Sequence, residues 1–165
     1  MLQLLLAGAQ AACGPTPPVW PEAFMIVQRK VVDPGTQQEN ATVVTWYDYK
    51  HGANLLQISP DSNNSDVLWD LELDSKQSYY HTPSRKTCMP MKFPVGILRP
   101  DWLSNATFLG TKSLGGRQTL VWTKADFIDY YADPVTCEPV SWYFHTMKVG
   151  GHTRLLRTPS STRKR

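Results

Sequence analysis

The sequence predicts a mainly β protein: a curved antiparallel sheet or open half-barrel of about eight to ten short strands, with a short helical turn and no long helix. Three observations carry this. Runs of aromatic and β-branched residues recur between turn residues along most of the chain. Thirteen Pro and ten Gly punctuate those runs. No stretch has the apolar spacing of a three-turn amphipathic helix. A chain of 165 residues fits one domain with a real core, and six Trp, seven Tyr and five Phe make that core ring-rich.

In order, residues 1–12 read as a truncated secretory leader, with an apolar patch at Leu2 and Leu4 to Leu6 and small residues at Ala9-Gln10-Ala11. No basic residue follows Met1 before the patch, and no later apolar run is long enough to span a bilayer. Residues 13–19 form a Pro-rich stiff linker, 20–157 the β-rich domain, and 158–165 a basic, solvated tail. Within the domain, Trp20-Pro21-Glu22 leads into a strand from Ala23 to Val32, stopped by Asp33-Pro34-Gly35. Val43 to Tyr49 and Asn54 to Ile58 form a hairpin about Lys50-His51-Gly52. Val67 to Leu73 follows, with Val67, Trp69, Leu71 and Leu73 alternating against Leu68, Asp70 and Glu72, as a strand with a solvated outer face does. Gln77 to Thr82 pairs back on it, and Thr87 to Phe93 comes next, where Pro90 marks an edge or bulge.

Residues 94–103, PVGILRPDWL, break the rhythm. Pro100 suits the first position of a single helical turn that carries Trp102 and Leu103 inward. So apolar a segment is expected to fold over one mouth of the sheet, with Trp102 as the plug and Arg99 at the rim. Thr107 to Leu114 and Arg117 to Lys124 form a hairpin about Gly115-Gly116. The stretch from Val121 to Met147 organises the rest: Asp133-Pro134 opens a turn, and Pro139 begins a strand with Val140, Trp142 and Phe144 on one face. A last weak strand runs from His152 to Leu156.

The net charge of +3 is modest and concentrated in the tail, which is no basic face for nucleic acid. Three glycosylation sequons, at Asn40, Asn63 and Asn105, fall in polar turns behind the leader-like start, so secretion or an endomembrane lumen is the expected setting. Of the three cysteines, Cys13 either leaves with the leader or stays near the new N-terminus, and Cys88 and Cys137 remain as a disulfide pair or two free thiols. No Cys/His spacing suits zinc, and no cofactor motif is present. The oligomeric state is open.

FPVGILRPDWL (Phe93 to Leu103), FLG (Phe108 to Gly110) and VWTKADFIDYYADPVTCEPVSW (Val121 to Trp142) resemble a family of small secreted plant and algal proteins with VGILRPxWL and VWxKxDFIxYYxDxxTxxPVxW motifs. WYDYKHGAN (Trp46 to Asn54) and LWDLELDSKQSYY (Leu68 to Tyr80) match it too, so the likeness covers most of the domain. The family often carries a label of transferases of glycosyl groups, with its function unsettled and no catalytic residues to carry over. The layout also resembles the open half-barrels of the ependymin and lipoprotein-carrier type, in which a curved sheet cups a hydrophobic ligand.

The transferase label directs attention to carboxylates. Asp70, Glu72 and Asp74 stand at alternate positions, reminiscent of a D-x-D metal site, yet no nucleotide-binding fold or second acid cluster accompanies them. Asp126 and Asp129 fall on opposite faces of a strand, with Arg99 or a lysine as the expected partner of Asp129. His51, His81, His145 and His152 lie one per element with no ligand spacing. No catalytic residue or metal site is assigned. The remaining candidate is a ring-rich concave face formed by Trp46, Trp69, Trp122, Trp142, Tyr79 and Phe144, with Trp102 and Arg99 on the flap. The expectation is a non-enzymatic binder of an apolar or amphipathic ligand; the alternatives are a carbohydrate-active enzyme or a structural extracellular protein.

Overall fold

The computed structural model describes residues 13–32, 38–62, 66–145 and 153–157, the last as backbone. The leader, the basic tail, Asn63 and His152 lie outside the described residues. Eleven strands form one antiparallel sheet: β1 (Ala23–Val32), β2 (Ala41–Asp48), β3 (Ala53–Pro60), β4 (Leu68–Leu73), β5 (Gln77–Thr82), β6 (Thr87–Lys92), β7 (Thr107–Leu114), β8 (Arg117–Lys124), β9 (Ile128–Ala132), β10 (Pro139–Phe144) and β11 (Thr153–Arg157). Their order is β6-β5-β4-β3-β2-β1-β11-β10-β9-β8-β7, so among the described residues β6 and β7 are unpaired edges and the sheet does not close. The protein is mainly β, with no long helix among the described residues, as the aromatic runs and turn residues predict.

Two meanders meet at β11. One runs outward from β1 to β6, the other inward from β7 to β10, and β11 pairs with both β1 and β10. Side chains from both meanders meet in one core: Phe24, Ile26 and Tyr47 from the first pack with Leu120, Trp122, Ile128, Tyr130, Ala132 and Trp142 from the second. Contact between strands so far apart in the order requires the sheet to curl, and the shared core lies on its concave side. A smaller cluster of Val121, Tyr131 and Val140, flanked by Leu114 and Tyr143, forms behind β8–β10.

Turn chemistry sets the registers. Asp133 Oδ1 accepts the amides of Val135 and Thr136, each at 2.8 Å, which builds the β9–β10 turn. Burial works against its charge, yet the Thr136 amide, the Arg117 side chain and the Val135 amide hold its carboxyl down to about 2. A register shift between Pro139 and Ser141 is a bulge. It separates Val140, which joins the rear cluster, from Trp142 and Phe144, which pack on the concave core, so the three do not share the expected face. Residues 100–105 make successive turns in place of the expected helical turn, with the amides of Trp102, Ser104 and Ala106 bonded to the carbonyls three residues back. The short 3-10 helix is Pro83–Arg85.

Residues 13–19 are no free linker. The Cys13 amide donates to Pro134 O at 2.9 Å, the Pro15 carbonyl accepts the Trp122 Nε1 hydrogen bond at 3.0 Å, and Cys13 is disulfide-bonded to Cys137 across a Cα–Cα distance of 5.2 Å. The expected Cys88–Cys137 pair does not form. Cys88 sits exposed on edge strand β6, while Cys137 packs against the concave core that contains Cys13. The alternation in β4 is likewise inverted: the register Leu56↔Asp70 puts Asp70 on the concave face, where it is 8% exposed, and sends Trp69 to the convex one.

Two outcomes follow from this packing. The Cys13–Cys137 bridge links residues 124 apart, so reduction, or Cys13→Ser, lowers unfolding free energy by about 2–4 kcal/mol, whereas Cys88→Ser stays within about 0.5 kcal/mol; urea titration with non-reducing peptide mapping checks both. A Cβ on Gly96 would lie 2.7 Å from the carbonyl oxygen of Asp74, so Gly96→Ala costs about 1–3 kcal/mol, read as a lower urea midpoint.

Candidate functional site

The concave face carries the site because its residues are set by register. Phe24↔Tyr47↔Asn54↔Glu72 form one row across β1–β4, and Ile26↔Thr45↔Leu56↔Asp70 the next. Gln28, on the same face of β1, begins a third row with Val43. From the other meander come Ile128, Trp142 and Phe144, together with the β8–β9 turn at Ala125 and Phe127.

Trp20 fills the junction between these walls. Its ring meets Phe24 at 5.3 Å, Tyr47 at 5.5 Å, Trp102 at 5.4 Å and Trp142 at 5.8 Å between centroids, all edge-to-face, and its Nε1 donates to Tyr130 Oη at 3.1 Å. The segment 96–105 crosses over as a flap. Ile97 and Leu103 are buried, Tyr47 Oη donates to Leu98 O at 2.7 Å, and the Trp20 amide donates to Pro100 O at 2.9 Å. Lys124 Nζ donates to Trp102 O and to Ser104 O, the latter at 2.8 Å. Burial raises the Tyr47 phenol well above its ordinary value.

Beneath the flap lies a cavity of about 440 Å³, within the range of small-molecule sites. Its walls are mostly apolar: Trp20, Phe24, Tyr47, Leu56, Trp102 and Trp142 contribute, with Gln28, Thr45, Asn54, Glu72 and Lys124 as polar members. Several of these polar groups are incompletely paired. Gln28 Nε2, Asn54 Oδ1 and Trp102 Nε1 are buried with no hydrogen-bond partner among the described residues, and so is Oδ1 of the neighbouring Asp70. Gln28 is 2% exposed. Asn54 Nδ2 donates to Glu72 Oε2 at 2.7 Å, which turns its carbonyl oxygen free. Burial, and next the negative charge of Glu72, push the Asp70 carboxyl up to about 7. Burial, then Asp70 and Glu72, raise the Tyr80 phenol opposite.

Of the residues expected to line a pocket, Trp102, Trp142 and Phe144 do so. Trp122 is 0% exposed and belongs to the core, between Phe108 at 5.4 Å and Tyr130 at 6.4 Å. Trp46 and Trp69 pair on the convex face, ring planes 11° apart at 6.0 Å, because they stand one residue out of phase with Tyr47 and Asp70. Tyr79 shares that outer face through its register with Leu71. Arg99 is exposed and ion-paired with Asp101 at 2.9 Å, outside the cavity. Glu72, which the sequence singles out only within the Asp70–Asp74 alternation, also lines the cavity, and Trp20, Gln28 and Asn54 join it without a motif; a pre-proline Trp and polar residues within otherwise apolar strands are the signals the sequence offers for them.

Other sequence candidates stay dispersed. His51 pairs with Asp48, His81 Nδ1 meets Thr87 O at 2.8 Å, and His145 pairs with Asp129 at 2.9 Å in place of the expected Arg99 or lysine. Among the described residues no group of His, Cys, Asp and Glu is placed to hold a metal. No helix among them is long and apolar enough to cross a membrane. Asn40 and Asn105 are exposed.

No curated protein sequence matches the chain. Among solved structures, the crystal structure of an uncharacterized conserved protein from Thermus thermophilus is similar in fold, with a TM-score of 0.56 at 8% identity over 92% of this chain and 81% of that one. Residues 19–156, nearly the whole sheet, match the family described as Domain of unknown function (DUF8395), and the chain belongs to that family.

Proposed function

We propose that the protein is a secreted, non-enzymatic binder of an apolar or amphipathic small molecule, held between the concave sheet and the flap. The observation that carries this reading is the aromatic cavity of about 440 Å³ with buried polar atoms left unpaired around it. A filled core leaves no such volume, and buried donors and acceptors without partners cost about 1–3 kcal/mol each, which a polar group on a ligand offsets. The Cys13–Cys137 bridge, the exposed sequon residues Asn40 and Asn105, and the leader-like start support secretion.

A carbohydrate-active enzyme is the second reading. It draws on Asp70 and Glu72, two carboxyls on one face of β4, of which Asp70 is held near its neutral form at about 7. The largely aromatic and aliphatic lining weighs against it, since a sugar site presents many polar partners. Turnover of a glycosyl donor that Asp70→Asn abolishes would establish this second reading in place of the first.

Native mass spectrometry of protein purified from its own source is expected to show a bound molecule that denaturation releases. Finding only the bare chain, together with no tryptophan fluorescence response to dodecanol, overturns the binding reading. Trp102→Ala is expected to cost less than the ~3–5 kcal/mol of a fully buried tryptophan, because the side chain is half-buried, while speeding ligand release; stopped-flow fluorescence reads the release.

Asp70 also makes stability depend on pH. Its carboxyl titrates near 7 in the fold and near 3.8 in the unfolded chain, so between those values the native state holds a proton that the unfolded state has lost. Stability therefore falls as pH rises from about 4 to about 7 and levels off above. Asp70→Asn is expected to flatten that slope and to be more stable than the parent at pH 8, measured by urea denaturation across the range.

A further inference from the structure

The polar groups around the cavity are not evenly mixed. Its β3–β4 side is acidic: Glu72 lines the wall, Asn54 presents a bare carbonyl oxygen beside it, and Asp70 follows on the same face of β4, 8% exposed with Oδ1 unpartnered. Among the described residues no lysine, arginine or histidine forms an ion pair with Asp70 or Glu72, although six other aspartates each have such a partner. Tyr80 faces Asp70 from β5, and Leu56 from β3. Lys124 lines the cavity from the opposite meander, and its ammonium is held by the Trp102 and Ser104 carbonyls of the flap.

We propose that the cavity selects a cationic amphiphile, a hydrocarbon chain with a protonated amine head, seated with the ammonium at Asn54 Oδ1 and Glu72 and beside Asp70. This rests on the reading of the cavity as a small-molecule site and adds the charge of the ligand. An ammonium supplies donors only, which is what a bare carbonyl oxygen and two carboxyls lack. It also returns the buried Asp70 to its ionised form, since a positive charge nearby favours the carboxylate. The rings of Trp20, Tyr47, Trp102 and Trp142, which line the same cavity, suit a cation better than an anion, because their faces are negative. A carboxylate head meets like charge at Glu72, where the Asn54 amide is already given to the carboxylate; the unpaired donors Gln28 Nε2 and Trp102 Nε1 belong to β1 and the flap, away from the acidic β3–β4 side.

Titration of the full chain at pH 8, followed by tryptophan fluorescence, compares dodecylamine, dodecanol and dodecanoate below their micelle-forming concentrations. Dodecylamine is expected to bind about tenfold more tightly than dodecanol, and dodecanoate most weakly. That order runs against the net charge of +3, which favours anions on the surface, so it reports the site. Glu72→Gln and Asp70→Asn are each expected to erase the advantage of the amine over the alcohol; either one suffices if the other does not fold. Dodecanol binding as tightly as the amine, dodecanoate binding best, or an amine advantage that survives both substitutions overturns the cationic preference and leaves an apolar binding site standing. Failure of all three probes to bind overturns the small-molecule site itself, and the preference with it.

Discussion

The edge-to-face packing of Trp20 against four other rings is the contact on which the rest of the molecule depends. Phe24 and Tyr47 belong to one meander, Trp142 and Tyr130 to the other, and Trp102 to the flap; Trp20 touches all of them. An eleven-stranded open sheet would otherwise have two faces to cover and only its own curvature to do it with. By filling the fold of the sheet at one point, the indole fixes how far the halves close. It leaves a space beside itself where closure stops. The cavity and the core are thus two results of one arrangement: where rings interlock there is core, and where the flap bridges a gap there is a pocket.

Strands and turns were largely legible because they are local. The strands at 23–32, 77–82, 107–114 and 117–124 coincide with the runs of aromatic and β-branched residues, and Asp133-Pro134 builds the turn that its chemistry demands. Facing was not legible. Trp69 and Asp70 differ by one residue, and only the pairing of β4 with β3 decides which of them looks inward. A polar residue within a strand ordinarily marks the solvent side, so a buried aspartate inverts the reading of its whole element. Val140 was displaced by a single-residue bulge, a feature that leaves no signature beyond the neighbouring proline.

Cysteine pairing failed for a different reason. Cys13 lay before the expected domain boundary, and its role depends on a chain segment that folds back across the sheet to reach the β9–β10 turn. Proline richness between 15 and 18 suggests a spacer, whereas the segment is tied to the sheet through the Pro15 carbonyl, which accepts the Trp122 indole hydrogen bond. The flap was legible in outline, since Ile97 and Leu103 are too apolar for water, but the partner of Trp102 was not: Trp20 lies 82 positions earlier in the chain.

The position of β11 bears on how the chain is made. All the pairings within each meander can be made by the end of β10, yet each then presents a bare strand, β1 or β10, at what becomes the middle of the sheet. During synthesis those two inner borders stand open until residues 153–157 leave the ribosome, and any extended peptide nearby competes for them. The nascent chain therefore passes through its most adhesive state late, after the other ten strands have been made, and the gap that must be guarded lies at the centre of the molecule, away from its rims.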